Sequence, residues 1–497
     1  MRGIILLFIY TAWASDLTEY YDKRFKILQE EAVLSVGGGI TLSDAEVAVN
    51  DCLMGHKFNE IDYWFDHPRY FNSSHSFFAY KDSIRTSKVY RIIKDMPKGA
   101  ALHVHDMGLL AADYMMNVTY LDNLYVCFGS DVQFVFANKT PNAPCDGQWQ
   151  LTADARNSSK NLTEFDAELR RHFTLVTNDP DAVYPSIEET WAAFMQYFKT
   201  VVPLLSYRPV WEQYFYDALM KFREDNVMYV EVRSILPNLY ELDGTIYDPL
   251  ITARTYTKVI KKFMKDYRDF AGAKLIYAPS RHVSREKLEE YIVLAEKIKR
   301  TMPEAFAGFD LVGQEDLGTP LIAFVPRLLE IAPHLNYFFH AGETDWYGTL
   351  TDENLVDAML LGAKRIGHAY ALPKHPVILR EVLKRDIGLE INVISNSVLS
   401  LVRDTRNHPL SSFLAQGLPV VLSSDDPGVW EADPLSEDFY VAFVSVASRL
   451  SDLRMLKQLA INSLKYSALD TEAKFRALRN FHFKWNDFVH NFNCSVY

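Results

Sequence analysis

His103 and His105 flank a single residue inside Ala101–Asp106, a short apolar run. On a strand, residues i and i+2 face the same side, so both imidazoles can reach one ion. An H-x-H pair alone is a weak signal. It gains weight from three other apolar runs, which close with His340-Ala341-Gly342-Glu343, Gly367-His368-Ala369 and Ser423-Ser424-Asp425-Asp426-Pro427. Four of the 14 histidines thus fall at the ends of three predicted strands, with acids close behind, where chance would scatter them. Three imidazoles and one carboxylate suit zinc and leave a position open for water, whose pKa such an ion lowers toward neutrality. The run ending Asp310-Leu311-Val312-Gly313 offers no lysine or histidine to bridge a second ion, so the pattern predicts a mononuclear centre.

Residues this far apart need a frame that brings strand ends together. From Ala101 onward, short β-branched or aromatic runs alternate with helical patterns, which implies βα units and a parallel sheet. The runs are 101–106, 227–233, 274–278, 306–312, 335–341, 365–368, 388–394 and 419–423, with helices such as 355–361 and 377–385 between them. Eight such units predict an α/β fold, a (β/α)₈ TIM barrel, in which chemistry sits at the C-terminal strand ends. Two segments lie outside this count: a helical N-terminal extension before the first strand, and a long insertion from Asn117 to about His172 after it. An insertion of that length is expected to be a small domain of its own. The predicted division is 1–14, 15–98, 99–116 with 173–497 for the barrel, and 117–172 for the insertion.

Composition sets the remaining bounds. The 497 residues, 48% hydrophobic and 23% charged, can bury a large core, and a net charge of -12 argues against a nucleic-acid partner. No apolar run is long enough for a membrane span. Met1-Arg2, an apolar stretch to Trp13, and Ala12-Trp13-Ala14 read as a signal peptide with cleavage before Ser15, hence a secreted, extracellular protein. Sequons at Asn72, Asn117, Asn138, Asn157, Asn161 and Asn493 agree with passage through a glycosylating compartment. There, Cys127 and Cys145 are the pair expected to bridge, while Cys52 and Cys494 pair or stay free. Trp191, Phe194 and Phe198 share a helical face that is either core or substrate wall. Lys258, Lys261, Lys262 and Lys265 read as a solvated helix face, with a glycosaminoglycan site as the lesser alternative.

The strings LHVHD, GFDLVGQEDLG, FFHAGETDW, RIGHAYAL, SNSVLSLV and SSDDPGVW resemble the adenosine deaminases of the amidohydrolase superfamily. The leader, the N-terminal segment and the Cys-bounded insertion resemble its secreted branch, the adenosine deaminase growth factors. The resemblance covers nearly the whole mature chain. It implies one Zn²⁺ per subunit on His103, His105, His340 and Asp425, with Glu343 as proton donor to purine N1 and His368 orienting the attacking water. Gly313 N–H and Asp426 would read purine N3 and N7, Asp106 and Trp191 would face the ribose, and His282 would add a substrate contact. It also implies a homodimer built by residues 15–98 and a cell-surface receptor site in 117–172.

The implied reaction is hydrolysis of adenosine, and of 2'-deoxyadenosine, to the inosine product and ammonia. Water attack at C6 destroys aromaticity unless N1 takes a proton, which a Glu343 with a raised pKa could supply. The other zinc deaminase signature, H-x-E with P-C-x-x-C, is absent. Two alternatives stand beside this. A deaminase of AMP would need a phosphate cradle near Asp106, where an acid stands instead. A receptor-binding growth factor using the barrel only as scaffold would not need His103, Glu343, His368 and Asp425 all intact.

Overall fold

The computed structural model describes the backbone of residues 2–497 and the side chains from Asp16 onward. The predicted leader 1–14 lies outside the described side chains; its backbone opens a helix, Arg2–Leu34. Strand β1 (Gly99–His105) is followed by an excursion carrying β2 (Leu124–Phe128), β3 (Val132–Phe136) and β4 (Trp149–Leu151). The chain then returns for β5 (Val227–Ser234), β6 (Gly272–Tyr277), β7 (Phe306–Phe309), β8 (His340–Ala341), β9 (Arg365–His368), β10 (Gly388–Ile391) and β11 (Val420–Leu422).

Eight of these strands form the barrel. Two four-stranded parallel sheets, β1-β5-β6-β7 and β11-β10-β9-β8, meet along two seams. At one seam, Phe309 N donates to Asn336 O at 2.9 Å and Phe338 N to Phe309 O at 3.0 Å. At the other, His105 N donates to Asp425 O and Asp425 N to His103 O, both at 3.0 Å. The ring is therefore a closed (β/α)₈ TIM barrel, and its last seam is made by the site residues themselves. The predicted strand 335–341 is shorter than expected, because Leu335–Phe339 touches β7 only through this narrow seam and only His340–Ala341 joins a ladder.

Local sequence explains the outer helices. In Pro249–Asp266, Asp248 caps the N-terminus by accepting from Ile251 N, Pro249 stands where its missing N–H costs nothing, and Leu250, Ala253, Tyr256, Val259, Ile260 and Phe263 make the buried stripe. Helix Asp44–Asp66 starts with a reciprocal Ser43–Glu46 capping box. A Cys52–Cys494 disulfide ties this helix to the chain's far end, closing a loop of 442 residues. Phe71, Phe77 and Tyr80 of the N-terminal extension are buried in the same core, whereas Tyr70 is exposed.

Between residues 117 and 172, β2, β3 and β4 form an antiparallel sheet in the order β3-β2-β4, and Cys127 is bridged to Cys145. Its apolar face docks through Phe134 on Phe173 and Phe136 stacked on Tyr207.

Candidate active site

The barrel interior carries a layer of buried ionic side chains. Glu231 and Arg233 on β5, Asp310 after β7, Arg365 on β9 and Glu390 on β10 are all fully buried. Arg365 reaches Glu231 at 2.6 Å and Glu390 at 2.5 Å, while Arg233 reaches Glu390 and Asp310, both at 2.7 Å. Two guanidiniums thus knit three carboxylates into a ladder across the ring, the arrangement that buried charge requires. Against the cost of burial, Arg233 and Arg365 hold Glu390 well below the ordinary carboxylate range, and His340 with Arg233 do the same for Asp310.

The top of the ladder sets the histidines. His103 Nδ1 lies 2.7 Å from Glu390 Oε2, and His340 Nδ1 lies 2.7 Å from Asp310 Oδ2. Each ionised carboxylate accepts a hydrogen bond from Nδ1–H, so both Nε2 atoms carry bare lone pairs. Those atoms face one another at 3.1 Å. Burial pushes His340 down to about 3, which keeps it neutral. Asp425 Oδ1 stands 3.0 Å from His105 Nε2 and 3.4 Å from His103 Nε2, and one donor atom from each of His103, His105, His340 and Asp425 lies within 4.8 Å of the others. Converging lone pairs backed by carboxylates fit a divalent cation and fit a neutral polar core poorly.

Backbone strain aims the remaining groups. His368 and Asp425 are non-glycine residues at φ 60° and 59°, a conformation that side chains adopt at a cost. In this conformation Asp425 closes the barrel seam with its backbone while turning its carboxylate to the imidazoles, where Ser395 Oγ donates to Oδ2 at 2.6 Å. Gly367 is obligatory beside His368, since a Cβ there would come within 2.9 Å of the His103 ring. Glu343 is held by its backbone: Gly342 N and Glu343 N donate to the two oxygens of Glu315 at 3.0 and 2.8 Å. Its own Oε1 has no hydrogen-bond partner and lies 3.4 Å from His368 Nδ1. Burial pushes the Glu343 carboxyl well above its ordinary value, with Asp425 and Glu315 acting the same way and Arg281 opposing.

The family model described as adenosine deaminase matches residues 165–481, and that described as the adenosine/AMP deaminase N-terminal region matches 6–93. The chain belongs to the adenosine deaminase family. It is 42% identical to an adenosine deaminase of Aedes albopictus over 94% of this chain and 87% of that one, and 39% identical to adenosine deaminase 2 of Homo sapiens over 98% and 96%. Among solved structures it superposes on the Arabidopsis N6-mAMP deaminase with a TM-score of 0.57 at 18% identity, covering 79% of this chain and 99% of that one. That likeness reports the fold.

In this family member the predicted substrate residues line one cavity of about 240 Å³ above the imidazoles: Asp106, Trp191, His282, Gly313 and Asp426. Asp106 accepts from Tyr256 OH at 2.7 Å, and burial raises it to about 6 against the hydrogen bonds of Ser234 and Tyr256. Asp426 is buried with Oδ1 unpartnered, and burial, Asp425 and Asp106 push it well above its ordinary value. Gly313 sits at φ +105° against the His282 ring. Trp191, Phe194, Phe198 and Val202 form one cavity wall from helix Ile187–Leu205, so that helical face is both core and wall. On the basic face, Lys258 and Lys262 pair with Glu212 and Asp266 at 2.7 and 2.8 Å, which neutralises half of it.

Sequence reading missed Glu231, Arg233, Asp310, Arg365 and Glu390 as a group, together with Glu315 and Arg281. The available signal was one or two charges inside an otherwise apolar strand, as in VMYVEVRS and GLEI.

Proposed function

We propose that this chain is a secreted, zinc-dependent adenosine deaminase that hydrolyses adenosine, and 2'-deoxyadenosine, to the inosine product and ammonia. The observation that carries this reading is the pairing of convergent Nε2 lone pairs with an unpartnered, neutral-leaning Glu343 carboxyl 3.4 Å from His368. His103, His105, His340 and Asp425 would hold a single zinc, which when bound acidifies water at neutral pH. Glu343 is the only carboxyl of the cavity set that both faces His368 and lacks a partner, so it delivers its proton to a ring nitrogen as the carbon beside it is attacked. His368 and Asp425, 3.9 Å apart, flank the attacking oxygen and orient it. Asp426 Oδ1 remains for a second ring nitrogen.

The cavity also favours a nucleoside over a nucleotide. Among the described lining residues the single guanidinium is that of Arg233, and Asp310, Glu390, Leu102 O and Phe338 O occupy it. A 5'-phosphate would meet Asp106 and the Trp191 wall, with no cation to offset its charge. Assay of the purified protein on adenosine, 2'-deoxyadenosine and AMP, with metal analysis before and after chelation, tests the reading. Preference for AMP, or full ammonia release without metal, would overturn it.

Secretion is supported by the two disulfides and by five exposed sequon asparagines, Asn117, Asn138, Asn157, Asn161 and Asn493. Asn72 is half-buried and donates to Ser83. The homodimer is supported by helix Arg2–Leu34, which exposes Leu17, Tyr20, Tyr21, Phe25 and Leu28. Light scattering on the mature protein, before and after a Tyr21→Glu, Phe25→Glu double substitution, tests it.

A further inference from the structure

We propose that Asn396 and His408 are positioning residues that lock His368 in the tautomer with its proton on Nε2. The inference rests on the deaminase reading above for what His368 faces, but the lock itself follows from hydrogen-bond polarity alone.

A backbone N–H can only donate. Leu410 N donates to His408 Nδ1 at 3.0 Å, so that nitrogen carries no proton. A neutral imidazole then has its proton on Nε2 and must donate from there. His408 is fully buried and burial pushes it down to about 3, so it stays neutral. Its Nε2 lies 3.0 Å from Asn396 Oδ1, which accepts. The other end of that amide is therefore NH₂, and it lies 3.1 Å from His368 Nδ1. His368 Nδ1 accepts from it and is bare, which leaves the proton on Nε2. Amide flips and imidazole tautomers are ordinarily free choices. Here one backbone N–H fixes three of them in series.

The relay is built into the fold. Asn396 belongs to helix Val393–Val398 directly after β10, and its backbone oxygen accepts from Leu401 N at 2.9 Å. His408 is packed edge-on to Tyr370, two residues beyond His368, with ring centroids 5.5 Å apart. The three polar side chains are buried, so no water substitutes for a lost partner. The consequence falls on Nε2, the atom that points to Asp425 Oδ2 at 3.9 Å. With Nε2–H in place, His368 donates to the attacking oxygen and fixes its lone pair toward substrate. With the proton on Nδ1, the same ring would oppose Asn396 and present a lone pair to that oxygen.

Two variants of equal size and opposite polarity test the lock. His408→Gln can still donate an amide N–H to Asn396 Oδ1, whereas His408→Glu, once ionised at alkaline assay pH, presents only acceptors and should turn the Asn396 amide over. The expected result is that kcat on adenosine falls within about fivefold for H408Q and at least ~100-fold for H408E, a misplaced histidine tautomer costing up to about 10⁴-fold in a catalytic triad. KM and bound metal should stay near the parent values. Asn396→Asp, which offers acceptors to both histidines, should repeat the H408E loss if H408E folds poorly. ¹⁵N NMR of the histidine-labelled, ligand-free protein should show His368 protonated at Nε2 in the parent and at Nδ1 in N396D. Equal losses in H408Q and H408E, or an unchanged His368 tautomer in N396D, would overturn the proposal. Failure of the parent protein to deaminate adenosine would instead overturn the deaminase reading and leave the tautomer result standing.

Discussion

The floor and the mouth of the cavity are both crowded with buried carboxyls, yet they treat them in opposite ways. On the floor, Glu231, Glu390 and Asp310 are matched to Arg365, Arg233 and two imidazoles, and Glu390 and Asp310 are held ionised. At the mouth, Glu343 and Asp426 keep an oxygen without a hydrogen bond and are pushed toward the neutral form by burial. A saturated carboxylate fixes geometry because moving it breaks several bonds at once. An unpartnered one is costly in the free protein and is repaid only when a ligand arrives. The same residue type therefore builds the frame in one layer and reads the substrate in the next.

The sharpest test of this division is Glu343→Gln. Removing the proton but not the shape should lower kcat on adenosine by about 10³-fold, within the range for general acid catalysis, with bound zinc and KM little changed. Steady-state kinetics beside metal analysis of the same sample would check it. Near-normal turnover would make Glu343 a frame residue after all.

Glu390→Gln attacks the floor and should fail in the other sense. It leaves Arg233 and Arg365 short of a counter-charge and weakens the hold on the His103 proton. Zinc affinity, read by competition with a chelator, should fall about 10- to 100-fold, while metal-saturated kcat falls less. Thermal unfolding should show a loss of about 3 kcal/mol or more from the uncompensated buried charge. Asp426→Asn is the milder mouth variant. It should cost about 10-fold in kcat/KM through lost ring-nitrogen contact, with zinc content unchanged, because Asp426 is not one of the four clustered donors.

This division also marks how far the sequence could be read. Strand parity placed His103 and His105 on one face, and the strand-end rule drew His340, His368 and Asp425 to them, because those are local or fold-class arguments. The family resemblance then supplied roles for Glu343, Asp426 and Gly313 that spacing alone left open. The floor was not legible. Glu231 and Arg233 on one strand, Arg365 on a second and Glu390 on a third look like stray charges in apolar strands, and only closure of the ring brings them within bonding distance of one another across strands. The Asn396–His408 relay was hidden for the same reason, since SNSVLSLV gives no sign that a histidine 12 residues on returns to its asparagine.

Glu437 provides a control that separates a carboxyl short of a hydrogen bond from a substrate-reading one. It is buried behind the N-terminal extension, its Oε1 accepts no hydrogen bond although Arg85 Nε lies 3.5 Å away, and burial with the nearby Asp433 raises it to about 7 against that cation. It does not line the cavity. Because its folded pKa lies above the unfolded value near 4.5, the folded state binds the extra proton between these limits. The cost of this group is therefore absent below about pH 4.5, grows as pH rises, and is complete above about pH 7. Glu437→Gln removes the titration, so its stability relative to the parent should improve between pH 5 and pH 8 by on the order of 2–3 kcal/mol. Chemical denaturation of both proteins at the two pH values would measure the difference. Turnover of adenosine should not change at either pH. An activity loss in this variant would mean that a buried carboxyl short of a hydrogen bond is not a mark of the mouth, and that the layers of this barrel are coupled more tightly than the hydrogen bonds between them imply.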